Sequence, residues 1–135
     1  MTYILDTNII IAIMKGNQNV VGKFREAISR GDGILINCIS YYEIKRGYLA
    51  INAVEQLKKF EAFCKDFGIC FVDDQSILDY AAEIYANLKI RGELIGDADI
   101  LIAAIAKQHD AVVVSDNVGH FQRIQGLGLE NWLNR

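Results

Sequence analysis

Tyr3-Ile4-Leu5-Asp6-Thr7-Asn8-Ile9-Ile10 is the stretch on which the reading of this chain turns. A short run of aromatic and β-branched residues ends in a carboxylate, a hydroxyl and an amide, and a second apolar run starts at once. The pattern predicts a buried strand that delivers Asp6 to its carboxyl end and passes directly into a helix. Three further runs have the same character: Ile34 to Ile36, Ile69 to Val72, and Ala111 to Val114. Helical spacing fills the intervals. Val20-Val21-Phe24-Ala27-Ile28 keeps one face apolar until Gly31-Asp32-Gly33 stops it. Ile44-Tyr48-Leu49 and then Val54-Leu57-Phe60-Phe63 continue the pattern, with Lys58, Lys59, Glu61 and Lys65 on the other face. Ile77-Tyr80-Ala81-Ile84-Tyr85-Leu88 is a further amphipathic helix, and Ile100 to Ala106, apolar nearly all round, a buried one. Strands alternating with helices imply an α/β fold, a mostly parallel sheet covered on both faces.

A chain of 135 residues, 52% hydrophobic, suits one domain spanning 1–135 with one core and one site. The formal charge of -3 speaks against a protein that coats nucleic acid through a global basic excess. Neutralising a local acidic cluster would nevertheless leave a mildly positive remainder. Cys38, Cys64 and Cys70 lie in apolar surroundings without a C-x-x-C spacing and read as reduced core residues of a cytoplasmic protein. The apolar start lacks a basic leader and carries Asp6, so it is no signal peptide, and no run reaches membrane-spanning length.

Ligands in open parallel sheets bind beyond the carboxyl ends of the strands, where helix N-termini also point. The acids gather at that edge. Asp6 follows the first strand, Glu43 belongs to the helix after the second, Asp97 and Asp99 open the buried helix, and Asp116 follows the fourth strand. Any one acid alone is readily a helix cap; Ser40-x-x-Glu43 matches a capping box, with Ser40 as the cap. Together they form a costly cluster, because two carboxylates about 4 Å apart repel by about 4 kcal/mol at an effective dielectric near 20. No lysine or arginine neighbours Asp6, Asp99 or Asp116 in sequence. A divalent cation is the natural counter-charge, and hard oxygen donors suit Mg²⁺ or Mn²⁺ rather than zinc. Such a site orients phosphate oxygens and activates water. Asn8 and Ser115 are candidates to hold Asp6 in place, and Lys45 and Arg46, beside Glu43, to meet a flanking phosphate. Lys89 and Arg91 are more distant candidates, and Tyr41 and Tyr42 are candidates to stack on a base, one of them being core.

Leu5-Asp6-Thr7-Asn8, Ser40-x-x-Glu43, Ile95-Gly96-x-x-Asp99-Ile100-Leu101-Ile102-Ala103-Ala104 and His120-Phe121-Gln122-Arg123-Ile124-x-Gly126-Leu127-x-Leu129-Glu130-Asn131-Trp132, in this order, resemble the PIN-domain ribonucleases, and among them the VapC toxins of bacterial toxin–antitoxin pairs. The resemblance implies a three-layer α/β/α sandwich, RNA cleavage dependent on Mg²⁺ or Mn²⁺, a homodimer and inhibition by a cognate antitoxin. It assigns Asp6 and Asp99 as metal ligands and Glu43 as the acid that completes the pocket. The chain departs from the family at the fourth acidic place, where Asn117 and His120 stand and where Asp116 or Asp97 would have to substitute. His120 reads as an exposed histidine ahead of a buried phenylalanine, with a proton-transfer or phosphate-contact role as the alternative.

Two other readings compete. A phosphatase of the haloacid-dehalogenase type also places Asp after the first strand, but that chemistry wants a second acid where this chain has Asn8. A non-catalytic protein-binding module would use the acids merely as caps.

Overall fold

The computed structural model describes residues 1–133. Five strands form one sheet in the order β3-β2-β1-β4-β5: β1 (Thr2–Leu5), β2 (Gly33–Asn37), β3 (Ile69–Cys70), β4 (Val112–Val114) and β5 (Leu129–Glu130). Every pairing is parallel. Parallel strands need crossovers, and these are the helices α1 (Thr7–Met14), α2 (Gln18–Ser29), α3 (Cys38–Ala50), α4 (Val54–Phe67), α5 (Gln75–Ile90), α6 (Asp97–Gln108) and the single turn α7 (Val118–Phe121).

Alternation along β1 sorts the two faces. Ile4 joins the core made with α5 and α6, including Ile77, Leu88, Ile102, Ile105 and Phe121. Tyr3 and Leu5 join the opposite core with Ile9, Ile10, Val20, Phe60 and Trp132. Burial on both faces explains why the strands read as continuous apolar runs rather than alternating ones. Ile100 to Ala106 is buried at most positions, as its all-round apolar pattern requires.

The expected strand through Val72 stops at Cys70. β3 lies at the sheet edge and pairs only Ile36 and Asn37, and Phe71 beyond it is 54% exposed, with no partner strand to continue the ladder. Asn52, in the left-handed region (φ 54), separates α3 from α4. β5 and α7 were not anticipated, being too short to display a period.

The chain leaves β1 toward β2 on one side and reaches β4 on the other, so the order reverses between β1 and β4. A crevice forms beyond the carboxyl ends at such a reversal. Asp6 and Ser115, the first residues after β1 and β4, stand at its base.

Candidate active site

Asp6 is buried, with 6% of its surface exposed, and N-caps α1. Its Oδ1 accepts the Thr7 backbone N–H at 2.8 Å, and its Oδ2 accepts the Ser115 hydroxyl at 2.6 Å. No lysine, arginine or histidine forms an ion pair with it among the described residues. Burial pushes its carboxyl above the ordinary range; the bonds from Ser115 and Thr7 pull it back, and the charges of Asp99 and Glu43 push it further up. Asp6 after β1, Glu43 of α3 and Asp99 of α6 therefore share one field, three of the five acids that chain order placed at this edge.

Each acid is held by its own hydrogen-bond chain. On the β2 side, Thr7 Oγ1 lies 2.7 Å from Glu43 Oε1 and 2.8 Å from Ser40 Oγ. A hydroxyl has one proton, and the charged acceptor takes it, so Ser40 donates to Thr7 in turn. Asn37 Nδ2 donates to Ser40 Oγ at 3.0 Å and to the Leu5 carbonyl at 2.8 Å. The sequence runs Asn37 to Ser40 to Thr7 to Glu43, each donor facing the next acceptor. On the β4 side, the Asn117 backbone N–H donates to Ser115 Oγ at 2.9 Å, and Ser115 passes its own proton toward Asp6. Asp99 Oδ2 receives the Asn117 side-chain amide at 3.0 Å and faces His120 Nδ1 at 3.1 Å.

The capping box expected at Ser40 is not what starts α3. Asn37 is the N-cap, its Oδ1 accepting the Ser40 N–H at 2.8 Å, which puts Ser40 inside the first turn and Glu43 beyond it. Glu43 is thereby released from capping and turned to Thr7. Likewise Gly96 is the N-cap of α6 and makes no side-chain bond, so Asp97 and Asp99 both lie in the first turn without capping it.

The remaining candidates separate. Asn8 is exposed and lines a depression with Lys15, Asn17 and Asp116; the contact expected from Asn8 to Asp6 is made by Thr7 instead. Asp116 lines that same depression and accepts the Asn131 amide at 3.1 Å. Asp97 is exposed and borders a depression with Ala81, Tyr85 and Leu101 between α5 and α6. Lys45 bonds Tyr41 Oη at 3.1 Å, and Arg46 lies over the exposed Tyr42 ring at 5.0 Å. Tyr41 stacks on Phe60 and is the core member of that tyrosine pair. Lys89 lies over Tyr85, while Arg91 is engaged by Asn87, Glu93 and the Arg123 carbonyl. His120 is 43% exposed, as expected, yet its ring also touches Asp99. Thr7 and Asn37 were missed; the only signal for Asn37 was an amide at the end of an otherwise apolar run.

Among the described residues no three acids, histidines or cysteines close into a ligand cage. By type, the carboxylate oxygens of Asp6, Asp99 and Glu43 are donors that a hard cation takes. Mg²⁺ keeps much of its water and takes only one or two carboxylates from the protein, so an open edge with Asp6 at its base and Asp99 and Glu43 near it is the appropriate arrangement.

A model of the PIN domain matches residues 3–127. The chain is 32% identical over 134 residues to the protein called ribonuclease VapC1 of Haemophilus influenzae, covering 98% of each. It is 29% identical to the tRNA(fMet)-specific endonuclease VapC of Salmonella typhimurium, again over 98% of each. Among solved structures it resembles VapBC2 from Rickettsia felis bound to a promoter DNA fragment, with a TM-score of 0.87, 28% identity, and 98% of this chain and 99% of that one covered. With the family model covering nearly the whole chain and relatives at this identity over their full length, this chain belongs to the PIN domain family, among its VapC proteins.

Proposed function

We propose that the protein is a divalent-metal-dependent endoribonuclease, the toxin of a toxin–antitoxin pair, with Asp6, Asp99 and Glu43 as the acids that hold Mg²⁺ or Mn²⁺. The observation that carries this reading is Asp6 itself: a buried carboxylate pushed up by burial and by two other acids, with no ion pair to a cation among the described residues. An arrangement that costs the fold stability is retained where a ligand compensates it. When bound, the ion supplies a Lewis acid for the phosphodiester and lowers the pKa of water.

The chain's own residues do the rest. Ser115 and Thr7 fix both oxygens of Asp6, and Thr7 fixes Glu43, so these are the residues that would hold the ion, already oriented by their neighbours. Asp116 stands aside with Asn8 and Lys15, at the mouth of the same edge, where an RNA strand would pass. Lys45 and Arg46 lie on the helix that bears Glu43, suited to flanking phosphates.

Relatives named as VapBC complexes support an antitoxin as partner, and the relative named for tRNA(fMet) makes transfer RNA the first substrate to try. The homodimer and cytoplasmic location belong to the same proposal; among the described residues no helix is long and apolar enough to cross a membrane. The test is cleavage of transfer RNA by the purified chain with Mg²⁺, with Mn²⁺ and with chelator. The expected result is metal-dependent cutting, lost with chelator and restored by either ion. Cutting that survives complete chelation overturns the reading.

A further inference from the structure

His120 and Asn117 approach one atom. Asn117 Nδ2 lies 3.0 Å and His120 Nδ1 3.1 Å from the same Oδ2 of Asp99, and the two nitrogens are 2.8 Å apart. Three atoms at nearly equal separations cannot carry three hydrogen bonds, because a donor's N–H points along only one edge. A carboxylate oxygen only accepts, so there are two ways to place the protons. The Asn117 amide has two protons and could turn one toward a bare Nδ1, but the imidazole lone pair would then still face a carboxylate oxygen at 3.1 Å, and two electron-rich atoms would oppose each other. If His120 carries its proton on Nδ1, both nitrogens donate to Oδ2 and only the edge between them carries no bond. The second arrangement is the favourable one.

Asn117 also reaches Asp6, since its backbone N–H donates to the Ser115 hydroxyl that holds Asp6 Oδ2. The short turn between β4 and Phe121 thus grips two of the three acids. Thr7 grips Asp6 through its backbone and Glu43 through its side chain, so two residues between them orient the whole set.

We propose that His120 and Asn117 are positioning residues for Asp99, and that they make the site one for a single divalent ion. Holding Oδ2 from outside leaves Oδ1 as the oxygen presented to the cation. It also closes the Oδ2 side, because two N–H donors take both lone pairs of that oxygen, whereas each oxygen of Asp6 meets one donor and keeps a lone pair for an ion. This inference rests on the metal-site reading above.

Binding of Mn²⁺, followed by calorimetry and by the paramagnetic resonance signal of the free ion, tests it without recourse to activity. The parent chain is expected to bind one Mn²⁺. His120→Ala and Asn117→Ala are expected to weaken binding about 10-fold or more, as loss of a bond to a metal-ligating side chain does. His120→Asn, whose amide N–H can stand where Nδ1–H stood, is expected to restore most of the loss. Asp6→Asn measures the underlying site separately and is expected to abolish binding. If Asp6→Asn abolishes binding while both alanine variants bind like the parent, the positioning role is wrong and the metal site stands. Two ions per chain overturn the single-ion assignment. If the parent does not bind Mn²⁺ at all, or Asp6→Asn binds as the parent does, the metal-site reading falls and this one with it. His120 is partly exposed, and melting curves identify any variant whose loss is one of folding.

Discussion

Asp32 and Asp6 stand at opposite ends of the same parallel sheet, just before β2 and just after β1. Asp32 accepts from the amino terminus at 3.5 Å and from the Arg30 guanidinium at 2.9 Å, an acid met by two cations at the surface. Asp6 is buried, is met among the described residues by a hydroxyl and a backbone amide, and shares its field with two more acids. The contrast extends to the neighbours. The buried polar residues of the described chain are Asp6, Asn37, Ser40 and Ser115, and all four lie at the carboxyl edge. The acid at the amino edge is paired; the acid at the carboxyl edge is oriented by neutral donors and, among the described residues, forms no ion pair.

The largest expected separation between the two edges is in catalysis. Asp6→Asn should lower RNA cleavage by roughly 10³-fold, the loss of about 4 kcal/mol of transition-state stabilisation from an ill-held ion, while Asp32→Asn should cut at the parental rate. Equal loss in both variants would erase the distinction. Next in size is orientation: Ser115→Ala removes the proton that Asp6 Oδ2 receives, and metal affinity measured by titration should fall about 10- to 100-fold with the fold intact. Unchanged affinity would mean that Asp6 does not need its hydroxyl.

Asn37 offers a test on stability instead of chemistry. Its amide bonds the Leu5 carbonyl, Ser40 Oγ and the Ser40 N–H in a fully buried position, and Asn37→Leu should cost about 1–3 kcal/mol in denaturant unfolding, because those groups lose their partner.

The smallest effect is the most diagnostic of sign. Because burial raises the Asp6 carboxyl above its ordinary value, its stabilising contribution is full below the unfolded carboxylate range and is lost as pH rises through the folded value. Without divalent ions, Asp6→Asn should therefore melt slightly higher than the parent near neutral pH, and the difference should vanish toward pH 4. Added Mg²⁺ should raise the melting temperature of the parent and leave the variant unmoved. A variant that melts lower than the parent at every pH would show that the carboxylate serves the fold.

Much of the fold was legible because its signals are local. Ile4 and Leu5, Ile34 to Ile36 and Val113-Val114 are apolar without interruption because both faces of the sheet are covered, and the spacings of α2, α4 and α5 each describe one buried stripe. What escaped was short or conditional. Leu129 and Glu130 become a strand only because β4 lies alongside, and Val72 is left out of one because nothing lies beyond Cys70. The same division holds in the site. Asp6, Glu43 and Asp99 could be placed at one edge from topology, since each follows a strand or opens a helix there. Ser40 could not: a capping box and a relay to Thr7 require the same residues at the same spacing, and Asn37, three residues earlier, took the cap.

The sequence by itself determined the alternation of strand and helix, the edge at which the acids assemble and the family whose order of motifs it follows, because these depend on hydrophobic period and chain order. Only the tertiary structure decided which polar neighbour serves which acid. It made Thr7 rather than Asn8 the partner of Asp6, sent Asp116 to Asn131, and brought His120 and Asn117 onto one oxygen of Asp99. The physical reason is that a hydrogen bond is settled within a few tenths of an ångström and by the direction of one proton, and residues as far apart as Asp99 and His120 acquire that precision only when the helices that carry them are packed.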